Sequence, residues 1–391
     1  MEEFTFAHVP PVYFGSGKIS GLPELAHNFG QEALLVTGNS SLRKSGLLER
    51  INELFRQTNM YPLHVSIGGE PRVGDIDDVC NDFREKNIKV VIGIGGGSVI
   101  DGAKAISAML PHSNSVFDHL EGMEGSRPHN GEKVPFIALP STAGTGAEMT
   151  KNAVISMPGE NGYKRSLRHD NFIPDVVIVD PELSLSCPFN ITAACGMDAF
   201  TQLLESYVSS AGNSLTDALS FSGMARFVRS LIPACTGSHD DLKVRADLAY
   251  GAMLSGITLV NTGLGVVHGL AGPIGGFFDI PHGVICGALV WPANKVTVEA
   301  LRERAPDSHF LKKYAAAGAL LYPAQEKSEA FLCDALLSWL EALTEELKIP
   351  GLASFGLEER HLNKIVSSAS NRNNPIRLET EEMFQILERG L

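Results

Sequence analysis

Asp198, His268 and His282 are the side chains of this sequence best suited to hold a divalent metal ion, and Gln202 follows the first of them at i+4. In Gly196-Met197-Asp198-Ala199-Phe200-Thr201-Gln202-Leu203-Leu204-Glu205-Ser206-Tyr207 the apolar residues recur at helical spacing. That spacing predicts a helix with Asp198 and Gln202 on one face, both oxygens directed into one cavity. The two histidines lie in the stretch 266–283, where Gly and Pro are too frequent for one unbroken helix. A bend there brings both imidazoles back to a single point. One carboxylate, two imidazoles and an open position suit an ion that binds and polarises a substrate oxygen. Taken singly, each residue also fits a plainer role, as a hydrogen-bonded core histidine or a helix-capping aspartate.

The elements that must position these groups follow from the hydrophobic pattern. The 391 residues suffice for two domains. The first half alternates short β-type runs with amphipathic windows, as repeated β-α units of a parallel sheet do. Strands are expected at Ala33–Thr37, Tyr61–Ile67, Val90–Ile94, Phe136–Leu139 and Val176–Val179, and helices at Leu42–Gln57, Val73–Lys86 and Ser98–Leu110. From about Leu183 the strand pattern stops and long helical windows follow, including Ser214–Val228, Asp240–Gly256 and Glu329–Leu347. The expected division is therefore an α/β dinucleotide-binding domain over 1–185 and an all-helical metal and substrate domain over 186–391. Ahead of the first unit, Thr5–Phe14 carries β-branched and aromatic residues broken by Pro10-Pro11. Such a segment belongs at a sheet edge, where it either caps the sheet or pairs with a second copy in a homodimer.

The net charge of −13, with no run of Lys or Arg, argues against a nucleic-acid or anionic-membrane partner. The six cysteines are scattered without a CxxC pair and read as small buried hydrophobes in a reducing compartment. The acidic start Met1-Glu2-Glu3 lacks a signal core, and no stretch approaches the roughly 20 uninterrupted apolar residues of a membrane-spanning helix. The expectation is a cytoplasmic enzyme acting on a small molecule.

Ile92-Gly93-Ile94-Gly95-Gly96-Gly97-Ser98-Val99-Ile100-Asp101 runs from a buried strand through glycines into a helix. Glycines let the backbone approach a diphosphate, and the free N–H groups at the helix start favour its charge. A second loop, Pro140-Ser141-Thr142-Ala143-Gly144-Thr145-Gly146-Ala147-Glu148, offers the Ser141, Thr142 and Thr145 hydroxyls to phosphate or ribose. Two such loops at the carboxyl ends of strands in one sheet point to a shared ligand crevice. After the first strand, Thr37-Gly38-Asn39-Ser40-Ser41 contains no carboxylate to bind the adenosine ribose and repel a 2′-phosphate. Gly38, Asn39 and Ser40 therefore favour NADP over NAD.

Taken together, Gly95-Gly96-Gly97-Ser98 with Asp101 and Lys104, the Pro140–Glu148 loop, Pro174-Asp175 through Asp180-Pro181, Gly196-Met197-Asp198-Ala199, and His268 with Pro281-His282-Gly283 resemble the iron-containing (group III) alcohol dehydrogenases. The resemblance implies a dehydroquinate synthase-like fold, with a Rossmann-like parallel-sheet domain, an all-helical C-terminal domain and a cleft between them. It implies NAD(P)-dependent interconversion of an alcohol and an aldehyde or ketone by metal-assisted hydride transfer, usually in a homodimer. Lys164 matches the family's lysine near the nicotinamide ribose, and Gly38 falls where NAD-preferring members carry Asp. Asp198, His268 and His282 match metal and catalytic positions, Phe277 and Phe278 are candidate pocket walls, and Asn152 is a candidate cleft residue.

Two positions depart from the family pattern. Gln202 stands where the usual site has a further histidine, and Gly272 stands where members commonly carry a proton-moving histidine. An amide oxygen is a harder, weaker donor than imidazole, so Fe²⁺ or Zn²⁺ held by Asp198, His268 and His282, with or without Gln202, are both expected ions. Glycerol dehydrogenases look similar in using one Asp and two His for zinc. The departures also admit a metal-independent reductase resembling maleylacetate reductases, or a non-catalytic nucleotide-binding homologue. A lyase resembling dehydroquinate synthase would need a basic cluster near the metal residues, which the second half lacks.

Overall fold

The computed structural model describes residues 3–391. Among them the strands are β1 (Val12–Phe14), β2 (Ala33–Gly38), β3 (Leu63–Ile67), β4 (Val90–Gly95), β5 (Phe136–Pro140), β6 (Asn152–Met157), β7 (Tyr163–Arg168) and β8 (Val176–Val179). The helices of the first half are α1 (Leu22–His27), α2 (Ser41–Lys44), α3 (Leu47–Gln57), α4 (Val73–Phe83) and α5 (Gly97–Met109). Those of the second half are α6 (Phe189–Tyr207), α7 (Ser214–Cys235), α8 (Leu242–Thr262), α9 (Val266–Phe277), α10 (His282–Arg304), α11 (His309–Ala319), α12 (Glu329–Glu346), α13 (Leu362–Ser368) and α14 (Thr380–Gly390).

Six strands form one parallel sheet in the order β1-β8-β5-β4-β2-β3. Its central strands are continuous apolar runs because both faces are covered. Leu34, Val36 and Val91 point to the face closed by Ile76 of α4 and Ile100 of α5. Leu35, Ile92 and Ile94 point to the other, closed by Ile51 and Phe55 of α3 and Leu22 of α1. Strand order reverses at β2, whose neighbours are β3 on one side and β4 on the other. A crevice therefore opens beyond the carboxyl ends of β2 and β4, the place where open α/β sheets bind nucleotides. The registers Thr37↔Ile94 and Gly95↔Pro140 bring the ends of β2, β4 and β5 level, so the loops after them share that crevice.

The second half is an array of helices around α6, which packs on α7, α8 and α10 through Met197, Phe200, Leu203 and Leu204. By length and composition α10 could cross a membrane, but 83% of its most apolar window is buried inside the protein, as befits a core helix. The Rossmann-like sheet domain joined to a helical region is the fold expected from the sequence.

Several details differ from expectation. The helix expected over Leu42–Gln57 is two pieces, because Gly46 adopts a left-handed conformation (φ 77°) that ends α2 and starts α3. Of the N-terminal segment, Val12–Phe14 alone is strand: it follows Pro10-Pro11 and pairs with β8 at the sheet edge. The antiparallel hairpin β6–β7 was not anticipated, although Ala153-Val154-Ile155 and the turn Pro158-Gly159 carry its signal. The stretch holding the histidines is broken as expected: α9 contains Pro273, ends at Phe277, and the chain re-enters helix at His282 directly after Pro281.

Candidate metal and dinucleotide site

Asp198 lies near the middle of α6, His268 in the first turn of α9 and His282 at the first position of α10. The break between α9 and α10 turns the two rings toward each other, 5.4 Å apart between centroids. His268 Nε2 stands 3.2 Å and His282 Nε2 3.8 Å from Asp198 Oδ1. One ligand atom from each of Asp198, His268, His282 and Cys286 falls within a span of 4.8 Å. With metal–nitrogen and metal–oxygen bonds of about 2.0 Å, the N···O edge of a tetrahedral shell is about 3.3 Å. The residues present therefore fit a divalent ion without rearrangement of the backbone.

Glu205, seven residues after Asp198 on the same face of α6, orients His268. Its Oε2 lies 2.6 Å from His268 Nδ1, while its Oε1 accepts the Val267 N–H at 2.7 Å. This partner places the proton on Nδ1 and leaves Nε2 facing Asp198 and His282, the supporting geometry of metal-binding histidines. Burial alone would raise the Asp198 carboxyl, but His282 and His268 hold it below the usual carboxylate range. Burial pushes His282 down to about 4 against the pull of Asp198, which keeps its ring neutral at pH 7. Burial opposes the charge on His268 too, yet Cys286, Asp198 and Glu205 raise it well above the ordinary histidine value.

Gln202 lies beside Asp198, as the i+4 spacing on α6 expects. Its amide oxygen accepts from the Ser255 hydroxyl at 2.8 Å, and its nitrogen, which has no lone pair to offer a cation, faces Asp198 Oδ1 at 3.4 Å. In this arrangement Gln202 positions Asp198. Ser255 Oγ also reaches Gly144 O at 3.5 Å, so a line of polar contacts runs from the Pro140–Glu148 loop through Ser255 and Gln202 to Asp198.

At the sheet, α5 begins at Gly97 with no side-chain cap on Gly96, leaving its first N–H groups directed into the crevice. Ser141 N donates to Gly95 O at 2.8 Å, joining the two loops. A Cβ on Gly97 would stand 2.5 Å from Thr145 Oγ1, and one on Gly96 3.3 Å from Thr142 Oγ1, so both hydroxyls border the glycine turn. Ser98 and Ser141 are half-buried beside them. Gly38 ends β2, and Asn39 and Ser40 follow it, with the Asn39 amide against Gly68 and Ser40 opening α2. The Asp101 carboxylate accepts from Val154 N at 3.1 Å, tying α5 to the hairpin. Beside it Lys104, 1% exposed, has its ammonium within 2.8 Å of Ala147 O, Thr150 O, Thr150 Oγ1 and Asn152 O, which share its three N–H donors, and this fixes the end of the Pro140–Glu148 loop.

Lys164 projects from β7 to pair with Glu70 at 2.5 Å, its chain lying against Gly275 of α9. The charges of Lys164 and Glu70 both reach His282, so the pair borders the metal residues. Asn152 bonds Ser166 across the hairpin at 3.3 Å. Phe277 packs on Lys364 of α13, and Phe278 on His361 just before that helix. Glu205, Glu70 and Cys286 escaped the sequence reading. Spacing would have flagged two of them, as Asp198-x6-Glu205 and His282-x3-Cys286 each share a helix face.

The family models for "Iron-containing alcohol dehydrogenase" and "Fe-containing alcohol dehydrogenase family, C-terminal" match residues 10–181 and 192–391. The chain belongs to the iron-containing alcohol dehydrogenase family. Alcohol dehydrogenase 4 of Saccharomyces cerevisiae is 28% identical over 100% of this chain and 99% of its own length. Long-chain-alcohol dehydrogenase 1 of Geobacillus thermodenitrificans is 31% identical over 92% of this chain and 89% of its own. Among solved structures, an archaeal halo-thermophilic alcohol dehydrogenase from a Red Sea brine pool superposes with a TM-score of 0.89 at 25% identity, covering 100% of both chains. This iron-family dehydrogenase is thus an NAD(P)-dependent oxidoreductase that interconverts alcohols with aldehydes or ketones.

Proposed function

We propose that the enzyme is an NADP(H)-linked alcohol dehydrogenase or aldehyde reductase whose metal is Fe²⁺ or Zn²⁺ held by Asp198, His268 and His282. The carrying observation is the convergence of those three groups, with Glu205 behind His268 and Gln202 behind Asp198. When bound, such an ion supplies Lewis-acid polarisation of a substrate oxygen, and the nicotinamide carries the hydride. The protein's share is positioning. Glu205 holds the His268 tautomer, Gln202 and Ser255 link the carboxylate to the loop after β5, and the glycine turn with Ser98, Ser141, Thr142 and Thr145 receives the diphosphate. Lys164, tethered by Glu70, supplies a cation at the nicotinamide end. At Gly272 a built side chain would meet nothing within 4 Å, so that gap admits solvent as the proton's exit.

The NADP reading is supported by Gly38, with no carboxylate beside it, and by the Arg43 cation on α2 just after that loop. Residues 1–185 are read as the cofactor domain and 186–391 as the metal and substrate domain. A homodimer is supported by the exposed Tyr13 and Phe14 on edge strand β1, and a cytoplasmic setting by six unpaired thiols.

The test is aldehyde reduction with NADPH and NADH, on metal-stripped enzyme and after addition of Fe²⁺, Zn²⁺ or Co²⁺. NADPH-preferring turnover restored by one ion supports the reading. Turnover insensitive to chelators would replace it with the metal-independent route.

A further inference from the structure

Cys286 is fully buried and sits one helical turn after His282 on α10, on the same face. Its Sγ lies 3.6 Å from His268 Nε2 and 3.7 Å from His282 Nε2. A tetrahedral shell with metal–sulfur bonds of about 2.3 Å and metal–nitrogen bonds of about 2.0 Å has N···S edges of about 3.5 Å. Both observed separations lie within about 0.2 Å of that edge, and the His268–Asp198 separation of 3.2 Å matches the N···O edge. Gln202, the other side chain placed to complete the shell, has its oxygen engaged by Ser255 and its nitrogen turned to Asp198.

We infer that the Cys286 thiolate is the fourth protein donor of this metal site, and that it biases the site toward a softer divalent ion such as Zn²⁺. The inference rests on the three-residue metal reading above. Binding converts the Cys286 thiol to thiolate and releases its proton to solvent, one per ion at this residue, with no change in oxidation state. Asp198, His268, His282 and Cys286 would together hold the ion, which would supply Lewis-acid polarisation to a substrate oxygen. Soft sulfur in place of imidazole favours zinc and weakens the preference for iron.

The experiment loads metal-stripped full-length enzyme with one equivalent of Co²⁺ and records its absorption spectrum. The wild type is expected to show visible d–d bands together with a near-ultraviolet thiolate-to-cobalt charge-transfer band. Cys286→Ser should keep the d–d bands, lose the charge-transfer band and bind Zn²⁺ about tenfold or more weakly. Wild-type d–d bands without charge transfer would overturn the inference and leave the Asp-His-His site standing. Wild-type enzyme that retains no Co²⁺ would overturn the metal reading itself. Because the wild-type spectrum decides, a Cys286→Ser protein that fails to fold does not blunt the test.

Discussion

Replacing Glu205 by Gln should weaken metal binding without touching any proposed ligand. Glu205 Oε2 meets His268 Nδ1 at 2.6 Å, a charge-assisted hydrogen bond, while Oε1 accepts the Val267 N–H at 2.7 Å. Glutamine is nearly isosteric but offers one acceptor and one donor. With the amide nitrogen toward His268, Nδ1 must become an acceptor, the ring proton moves to Nε2, and the atom that faces Asp198 loses its lone pair. With the amide turned over, its N–H₂ meets the Val267 N–H and leaves a buried donor unpaired, at a cost of about 1–3 kcal/mol. Partners of metal-bound histidines typically contribute roughly 10–100-fold in affinity, equivalent to about 1.4–2.7 kcal/mol. Competition between apo-enzyme and a chelator for Zn²⁺ measures this, with circular dichroism to confirm folding. A Glu205→Gln enzyme that binds Zn²⁺ as tightly as the wild type would refute the claim that Glu205 sets the His268 tautomer.

Three further outcomes are expected. Gly38→Asp should raise the Kd of NADPH by about tenfold or more through repulsion of the 2′-phosphate, with little effect on NADH. The new Cβ meets Ser41 Oγ at 3.6 Å and Val99 Cγ2 at 3.7 Å, ordinary contacts, so the fold should tolerate it, and equal losses for both cofactors would sink the NADP reading. Lys104→Met removes one buried ammonium from four acceptors and should destabilise the protein by about 3–5 kcal/mol in denaturant titration; a loss within 1 kcal/mol would show that the loop does not depend on it. Burial raises Glu148 to about 7, so the folded state holds its proton more firmly than the unfolded chain and stability falls as pH rises from about 4.5 to about 7. Glu148→Gln should therefore raise the melting temperature at pH 8 and change it little below pH 4, and an equal effect at both would contradict the shift.

Legibility in the sequence followed the strength of the local signal. The central strands were readable because burial on both faces leaves runs such as Val90-Val91-Ile92 with no polar interruption. Helix breaks were less so: Gly46 interrupts an otherwise amphipathic window through a left-handed turn that periodicity does not report. The β6–β7 hairpin was overlooked because its strands mix polar and apolar residues and half of β7 is charged, as in Tyr163-Lys164-Arg165. Among the site residues, Asp198, His268 and His282 stood out by type. The tie from Asp101 to the hairpin was not legible, since it depends on a backbone N–H at Val154, 53 positions away. The same holds for Gln202, whose oxygen is claimed by Ser255 on α8. Cys286 was read as an apolar filler because no second cysteine lay nearby, although its i+4 spacing from His282 was in view.

The most direct test of the account is the anomalous diffraction of crystals grown with Zn²⁺ and NADPH. The account predicts one ion bounded by Asp198, His268 and His282, with the nicotinamide ring against it and the diphosphate at the Gly95–Ser98 turn. An ion elsewhere, imidazoles directed apart, or a ring remote from those three residues would contradict it.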